Sequence, residues 1–121
     1  MSTEKRTVLI VDDDPQILRL MEKMLLPRGV NILLAPRPSD ALRICELHPV
    51  HLMISDVMMP EMDGYKLAER VLKLHPEARV LLISGFDKGP HIPKSPRVRF
   101  LRKPFFPSVL IQALKQLLPE L

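Results

Sequence analysis

Five apolar runs of strand length recur along this chain, separated by stretches of helical spacing, and four of them lead into a charged or hydroxyl residue. Val8 to Val11 runs into Asp12, Asp13 and Asp14, Leu52 to Ser55 into Asp56, Val80 to Ile83 into Ser84, and Val98 to Leu101 leads to Lys103. Alternating β and α patterns are those of repeated βα units around a parallel sheet. In open sheets of this kind, ligands bind beyond the carboxyl ends of the strands, where the strand order reverses. Residues distant in sequence therefore converge on one crevice. Several carboxylates, a hydroxyl and a lysine in such a crevice suit a divalent cation and a phosphoryl group.

The expected strands are Val8 to Val11, Asn31 to Ala35, Leu52 to Ser55, Val80 to Ile83 and Val98 to Leu101. The first, third and fourth are continuously apolar, as strands covered by helices on both faces should be. The fifth alternates, with Val98 and Phe100 on one side and Arg99 and Leu101 on the other, which predicts an edge strand. Ile17, Leu20, Met21 and Met24 recur at helical spacing, with Asp14 as cap and Pro15 at the first position. Ser39 is placed to cap a second, shorter helix through Leu47, and Leu67, Val71 and Leu74 mark a third that begins near Asp63 and Gly64. Leu110, Ala113, Leu114 and Leu117 form the stripe of the last helix, and His48 and His75, each before proline, read as helix exits. Between the fourth and fifth strands, GFDKGPHIPKSPR carries too many glycines and prolines for a helix longer than about a turn, so an irregular crossover is expected.

A chain of 121 residues fits a single domain spanning 1–121, with its core in 7–118 and a short polar segment at 1–6. Its 46% hydrophobic and 26% charged residues are ordinary for a globular protein, and no apolar run approaches the ~20 residues of a membrane span. Membrane insertion is therefore not expected. MSTEKRT lacks the apolar core of a secretion signal, and the single Cys45 has no internal disulfide partner, which together point to the cytoplasm. The net charge of +4 is dispersed, and five aromatics (Tyr65, Phe86, Phe100, Phe105 and Phe106) are too few for a base-stacking platform. Direct nucleic acid binding is not expected either. The four histidines show no metal-ligand spacing, and there is no glycine-rich nucleotide loop.

The adjacent Asp12 and Asp13 repel each other and lose hydration at a strand end unless a cation compensates. Mg²⁺ is the natural candidate, since it takes hard oxygen ligands and keeps several waters. Helix capping and solvated loop charge account well for Asp14 and poorly for this pair. Neighbouring strands lie ~5 Å apart, so if the first and third strands are adjacent, Asp56 reaches the same metal. A carboxylate there can act as a nucleophile toward phosphorus. Ser84 could then bond one phosphoryl oxygen and Lys103 place its charge on another, although each taken alone reads as an ordinary strand-end or surface residue.

VLIVDDDP, SDVMMPEMDG, LLISG and FLRKPF, in that order from Thr7 to Leu118, together resemble the receiver domain of two-component response regulators. The resemblance implies a flavodoxin-like, doubly wound α/β fold: a five-stranded parallel sheet in the order 2-1-3-4-5, here with the helix before the fifth strand shortened or irregular. It implies that Asp56 is the phosphoacceptor and that Asp12, Asp13 and Asp56 hold Mg²⁺, helped by the backbone carbonyl of Met58. Ser84, Lys103 and Phe100 match the switch hydroxyl, the phosphate-binding lysine and the aromatic switch position, and the Lys103 to Pro104 bond matches one that is usually cis. Met58 and Phe86 match positions that tune hydrolysis. The implied partners are a histidine kinase or histidine phosphotransfer protein as donor, and a downstream protein or linked output domain as recipient of the signal. Such a receiver is not an enzyme acting on a separate substrate: its activity is a population shift between two conformations.

Two departures stand out. The proline-rich crossover puts the usual readout face in doubt, and Phe106 stands where the family often has a Ser or Thr cap before the last helix, with Ser108 too late to replace it. Core packing is expected for at least one of Phe105 and Phe106, with an apolar contact patch as the alternative for the pair. Rival functions are a phosphorylation-independent adaptor of receiver fold and an aspartate-nucleophile phosphohydrolase of the haloacid dehalogenase type. Asp12 and Asp14 supply the latter's Asp-x-Asp spacing, but Pro15 and Gln16 do not continue its pattern and the chain is short for that fold.

Overall fold

A computed structural model describes residues 5–85 and 95–121. Their elements, in chain order, are β1 (Thr7–Val11), α1 (Pro15–Leu25), β2 (Asn31–Ala35), α2 (Pro38–Leu47), β3 (Leu52–Asp56), α3 (Gly64–Leu74), β4 (Arg79–Ser84), β5 (Val98–Arg102) and α4 (Pro107–Leu117). The strands form one parallel sheet in the order β2-β1-β3-β4-β5. The doubly wound, flavodoxin-like fold expected from the sequence is the fold observed, with β5 at one edge and β2 at the other.

Strand alternation divides the core in two. Leu9, Val11, Met53, Val80 and Leu82 face α2 and α3, where Ala41, Cys45, Leu67, Ala68 and Val71 are buried. Val8, Ile10, Leu52, Ile54, Leu81 and Ile83 face α1 and α4, packing on Leu18, Met21, Leu25, Leu110, Leu114 and Leu117. The central strands β1, β3 and β4 are thus buried on both faces, which is why their sequences are continuously apolar. Cys45 is a small core residue, and burial pushes its thiol up to about 11.

Caps explain most helix boundaries. Asp14 accepts from the Gln16 amide at 2.9 Å with Pro15 at the first position of α1, and Asp63 accepts from the Lys66 amide at 2.9 Å to open α3. His48 and His75 are the C-terminal caps of α2 and α3, as their place before proline predicts. Ser39 is not a cap. Arg37 occupies that position without a side-chain capping bond, because Pro38, pre-set for the first helical position, starts α2 two residues earlier than a Ser39 cap would. A 3₁₀ turn at Leu26–Arg28, closed by left-handed Gly29 (φ 71°), extends α1 and was not anticipated. Several strands also run one residue past their apolar stretch. Thr7 joins β1 because its amide donates to His51 Nδ1 and its carbonyl accepts from the His51 amide, both at 2.9 Å.

Phe106 caps α4 with no side-chain bond and is 77% exposed, whereas Phe105 packs against the core between α1 and α4. The irregular crossover and Phe86 lie largely or wholly outside the described residues. No helix among the described residues is long and apolar enough to cross a membrane.

Candidate phosphoacceptor and metal site

The carboxyl ends of β1 and β3 are adjacent, with Val11 in register with Ser55. The residues that follow therefore meet: one carboxylate oxygen each from Asp12, Asp13 and Asp56 lie within 4.8 Å of one another. The three consecutive acids have separate roles. Asp12 is buried and accepts from the Asp14 amide at 2.9 Å, Asp13 is exposed at the rim, and Asp14 turns away to cap α1. Desolvation pushes the Asp12 carboxyl up to about 6. The charges of Asp56 and Asp13 push the same way, while the Asp14 amide and Lys103 oppose them. A carboxylate this reluctant to ionise, beside two others, is the electrostatic condition that a divalent cation relieves, and three hard oxygen donors are the set Mg²⁺ takes.

Asp56 is half-buried at the end of β3. Its Oδ2 lies 3.4 Å from Lys103 Nζ, and its Oδ1 accepts from the Met58 amide at 3.3 Å. Lys103 is held by its backbone, whose amide donates to the Ser84 carbonyl at 2.8 Å, and the Lys103–Pro104 bond is cis. Ser84 itself is buried at the end of β4, which separates β3 from β5 in the sheet. Phe100, on β5, is half-buried on the α2 and α3 side of the sheet. Met58 is 59% exposed beside Asp56.

Two residues, one in the β3–α3 loop and one at the start of α3, were not singled out as site residues from the sequence. Gly64 opens α3 directly against the Asp56 backbone: a Cβ there would lie 2.5 Å from the Asp56 carbonyl oxygen and 2.9 Å from Val57 Cα. Glu61 adopts a left-handed φ of 73° and accepts from the Ser39 amide at 3.2 Å. The glycine of MDG was a readable signal of close approach. Glu61 gave no signal, because its partner lies 22 residues upstream.

The family model for the response regulator receiver domain matches residues 8–115. The chain is 29% identical over 116 residues to the response regulator receiver protein CpdR of Brucella abortus, covering 93% of this chain and 97% of that protein. It is 31% identical over 123 residues to the transcriptional regulatory protein GlrR of Escherichia coli, covering 99% of this chain but 28% of that longer protein. Among solved structures, a CheY-like receiver domain protein of Methanospirillum hungatei superposes with a TM-score of 0.85 at 25% identity, over 97% of this chain and 96% of that one. The receiver domain of the hybrid histidine kinase CckA gives 0.77 at 32% identity, over 92% and 98%. By sequence, topology and the acids gathered at the carboxyl edge of its sheet, the chain belongs to the receiver domain family of two-component response regulators.

Proposed function

We propose that the chain accepts a phosphoryl group on Asp56 from the phosphohistidine of a histidine kinase or histidine phosphotransfer protein, and passes the signal to a downstream protein or linked output domain. The observation that carries this reading is the Asp56 carboxylate, set 3.4 Å from Lys103 on one side and beside Asp12 and Asp13 on the other. A carboxylate oxygen of Asp56 attacks phosphorus, the phosphorus–nitrogen bond of the donor breaks, and the imidazole leaves with a proton. Lys103 places its charge on a phosphoryl oxygen. Asp12, Asp13, Asp56 and the Met58 carbonyl would hold Mg²⁺, which when bound neutralises charge on the transferring group.

Ser84, buried at the end of β4 between β3 and β5, would supply a hydroxyl to an added phosphoryl oxygen. Its movement would free space for Phe100 to turn inward, a two-state change biased by the new charge. An apolar groove lined by Ile17, Leu20, Met24 and Phe105 opens beside Lys103, where a donor's helix can rest while its histidine meets Asp56. The setting is the cytoplasm, where histidine kinases present their phosphohistidine.

Incubation with a small acyl-phosphate donor, followed by intact mass, tests the reading. A gain of one phosphoryl group that requires Mg²⁺ and is absent in Asp56→Asn is expected; no gain in the wild type overturns it and leaves the phosphorylation-independent adaptor.

A further inference from the structure

We infer that Glu61 is a positioning residue for the acceptor site, tethering the loop at 57–63 to the start of α2 and so holding the Met58 segment over Asp56. The inference rests on the proposed function, because the Met58 carbonyl matters only if the site takes a cation.

The loop is anchored at its base. The Val57 amide donates to the Ile83 carbonyl, and the Gly64 amide to the Val57 carbonyl, each at 2.9 Å. Its tip, by contrast, is exposed at Met58, Pro60 and Glu61. The tip reaches another helix through Glu61 Oε1, which accepts from the Ser39 amide in the first turn of α2. That helix needs the acceptor: the side chain of its own cap, Arg37, accepts from none of the first-turn amides. A carboxylate at this end also suits the helix dipole. The Arg37 guanidinium beside this helix start is held above its ordinary range by its hydrogen bond to Asp40, by the Asp40 charge and by the charge of Glu61.

The backbone of Glu61 makes the same point from the other side. A φ of 73° is left-handed, a conformation glycine adopts freely and glutamate does not. In that conformation the Glu61 side chain holds the Ser39 amide at 3.2 Å. Releasing it lets the tip relax, and Met58, whose amide donates to Asp56 Oδ1, is three residues away in the same loop.

The test is Mg²⁺ titration by calorimetry and by amide NMR on the wild type, Glu61→Ala, Glu61→Gln and Glu61→Gly. Affinity should fall about fivefold in the Ala and Gly variants, a coupling typical of linked sites, and stay within about twofold in Gln, which keeps an acceptor oxygen. Glycine separates tethering from stability, since it removes the carboxylate while relieving the backbone. The Ser39 amide resonance should shift on Mg²⁺ addition in the wild type and not in Glu61→Ala. Equal affinity in all four proteins, with Mg²⁺ binding clearly seen, overturns the inference while leaving the proposed site intact. Absence of any response at the Asp12 and Asp13 amides of the wild type overturns the metal reading, and the inference with it.

Discussion

Lys103 Nζ lies 3.4 Å from Asp56 Oδ2, although β4 separates the strands that carry them. Both side chains extend past the carboxyl edge of the sheet, and the Lys103 amide is fixed to the Ser84 carbonyl at the end of the intervening strand. With the lysine side chain 36% exposed, such a pair contributes at most about 1 kcal/mol to stability. In the proposed reaction, by contrast, a fixed cation beside Asp56 would meet charge that develops during transfer.

Lys103→Met should accordingly leave the thermal midpoint within a few degrees of wild type while slowing phosphoryl uptake roughly tenfold or more. Intact-mass time courses with an acyl-phosphate donor, beside thermal unfolding of the same samples, separate the two effects. Equal uptake by both proteins would remove Lys103 from the chemistry.

Asp12 makes the stability of the metal-free protein depend on pH. Its folded carboxyl titrates at about 6 against 3.8 for the free group, so the folded state holds the proton more tightly. Stability from this group is fully present below about pH 4 and is lost as the pH rises through about 6. Mg²⁺ held by these acids, as proposed, would compete with that proton, so the stabilisation it confers should grow across the same window. Denaturant unfolding from pH 4 to 7, with and without Mg²⁺, checks both slopes, and Asp12→Asn should flatten them.

Gly64→Ala should be more damaging than a surface loop change. Its Cβ would meet two backbone atoms, Asp56 O at 2.5 Å and Val57 Cα at 2.9 Å, neither able to rotate away. A loss of about 2 kcal/mol is expected in denaturant unfolding, together with slower phosphoryl acceptance as Asp56 is displaced.

Phe106→Ser should stabilise. The side chain is 77% exposed at a helix cap that makes no side-chain bond, so little packing is lost and a capping oxygen is gained. About 1 kcal/mol, or a rise of about 4 °C in Tm, is expected in a thermal scan.

Met58→Asn should shorten the life of the phosphorylated protein by roughly tenfold, because an amide beside Asp56 can orient attacking water where a thioether cannot. Loss of phosphoryl mass after donor removal measures it, and equal rates would show that Met58 shields nothing.

Local signals were legible because they act over a few residues. Asp14 with Pro15 and Asp63 with Gly64 announced helix starts that the structure reproduces, while Ser39 was displaced as a cap by Pro38, a stronger helix initiator one residue earlier. Apolar continuity in β1, β3 and β4 correctly marked strands covered on both faces, and the alternation of β5 marked an edge. Phe105 and Phe106, adjacent and chemically identical, were not separable from the sequence, since which ring packs between α1 and α4 depends on how the chain leaves β5.

The sequence by itself determined the order and type of the elements, the acids, hydroxyl and lysine available at strand ends, and the family they resemble. Periodicity, caps and motifs are local, and they survive without knowledge of what lies across the sheet. Tertiary structure alone decided that Asp12 is buried and titrates high, that Lys103 reaches Asp56 across an intervening strand, and that Glu61 holds the start of α2. Each depends on strand order and register, which bring together groups separated by up to 47 residues and set their distance and exposure to water.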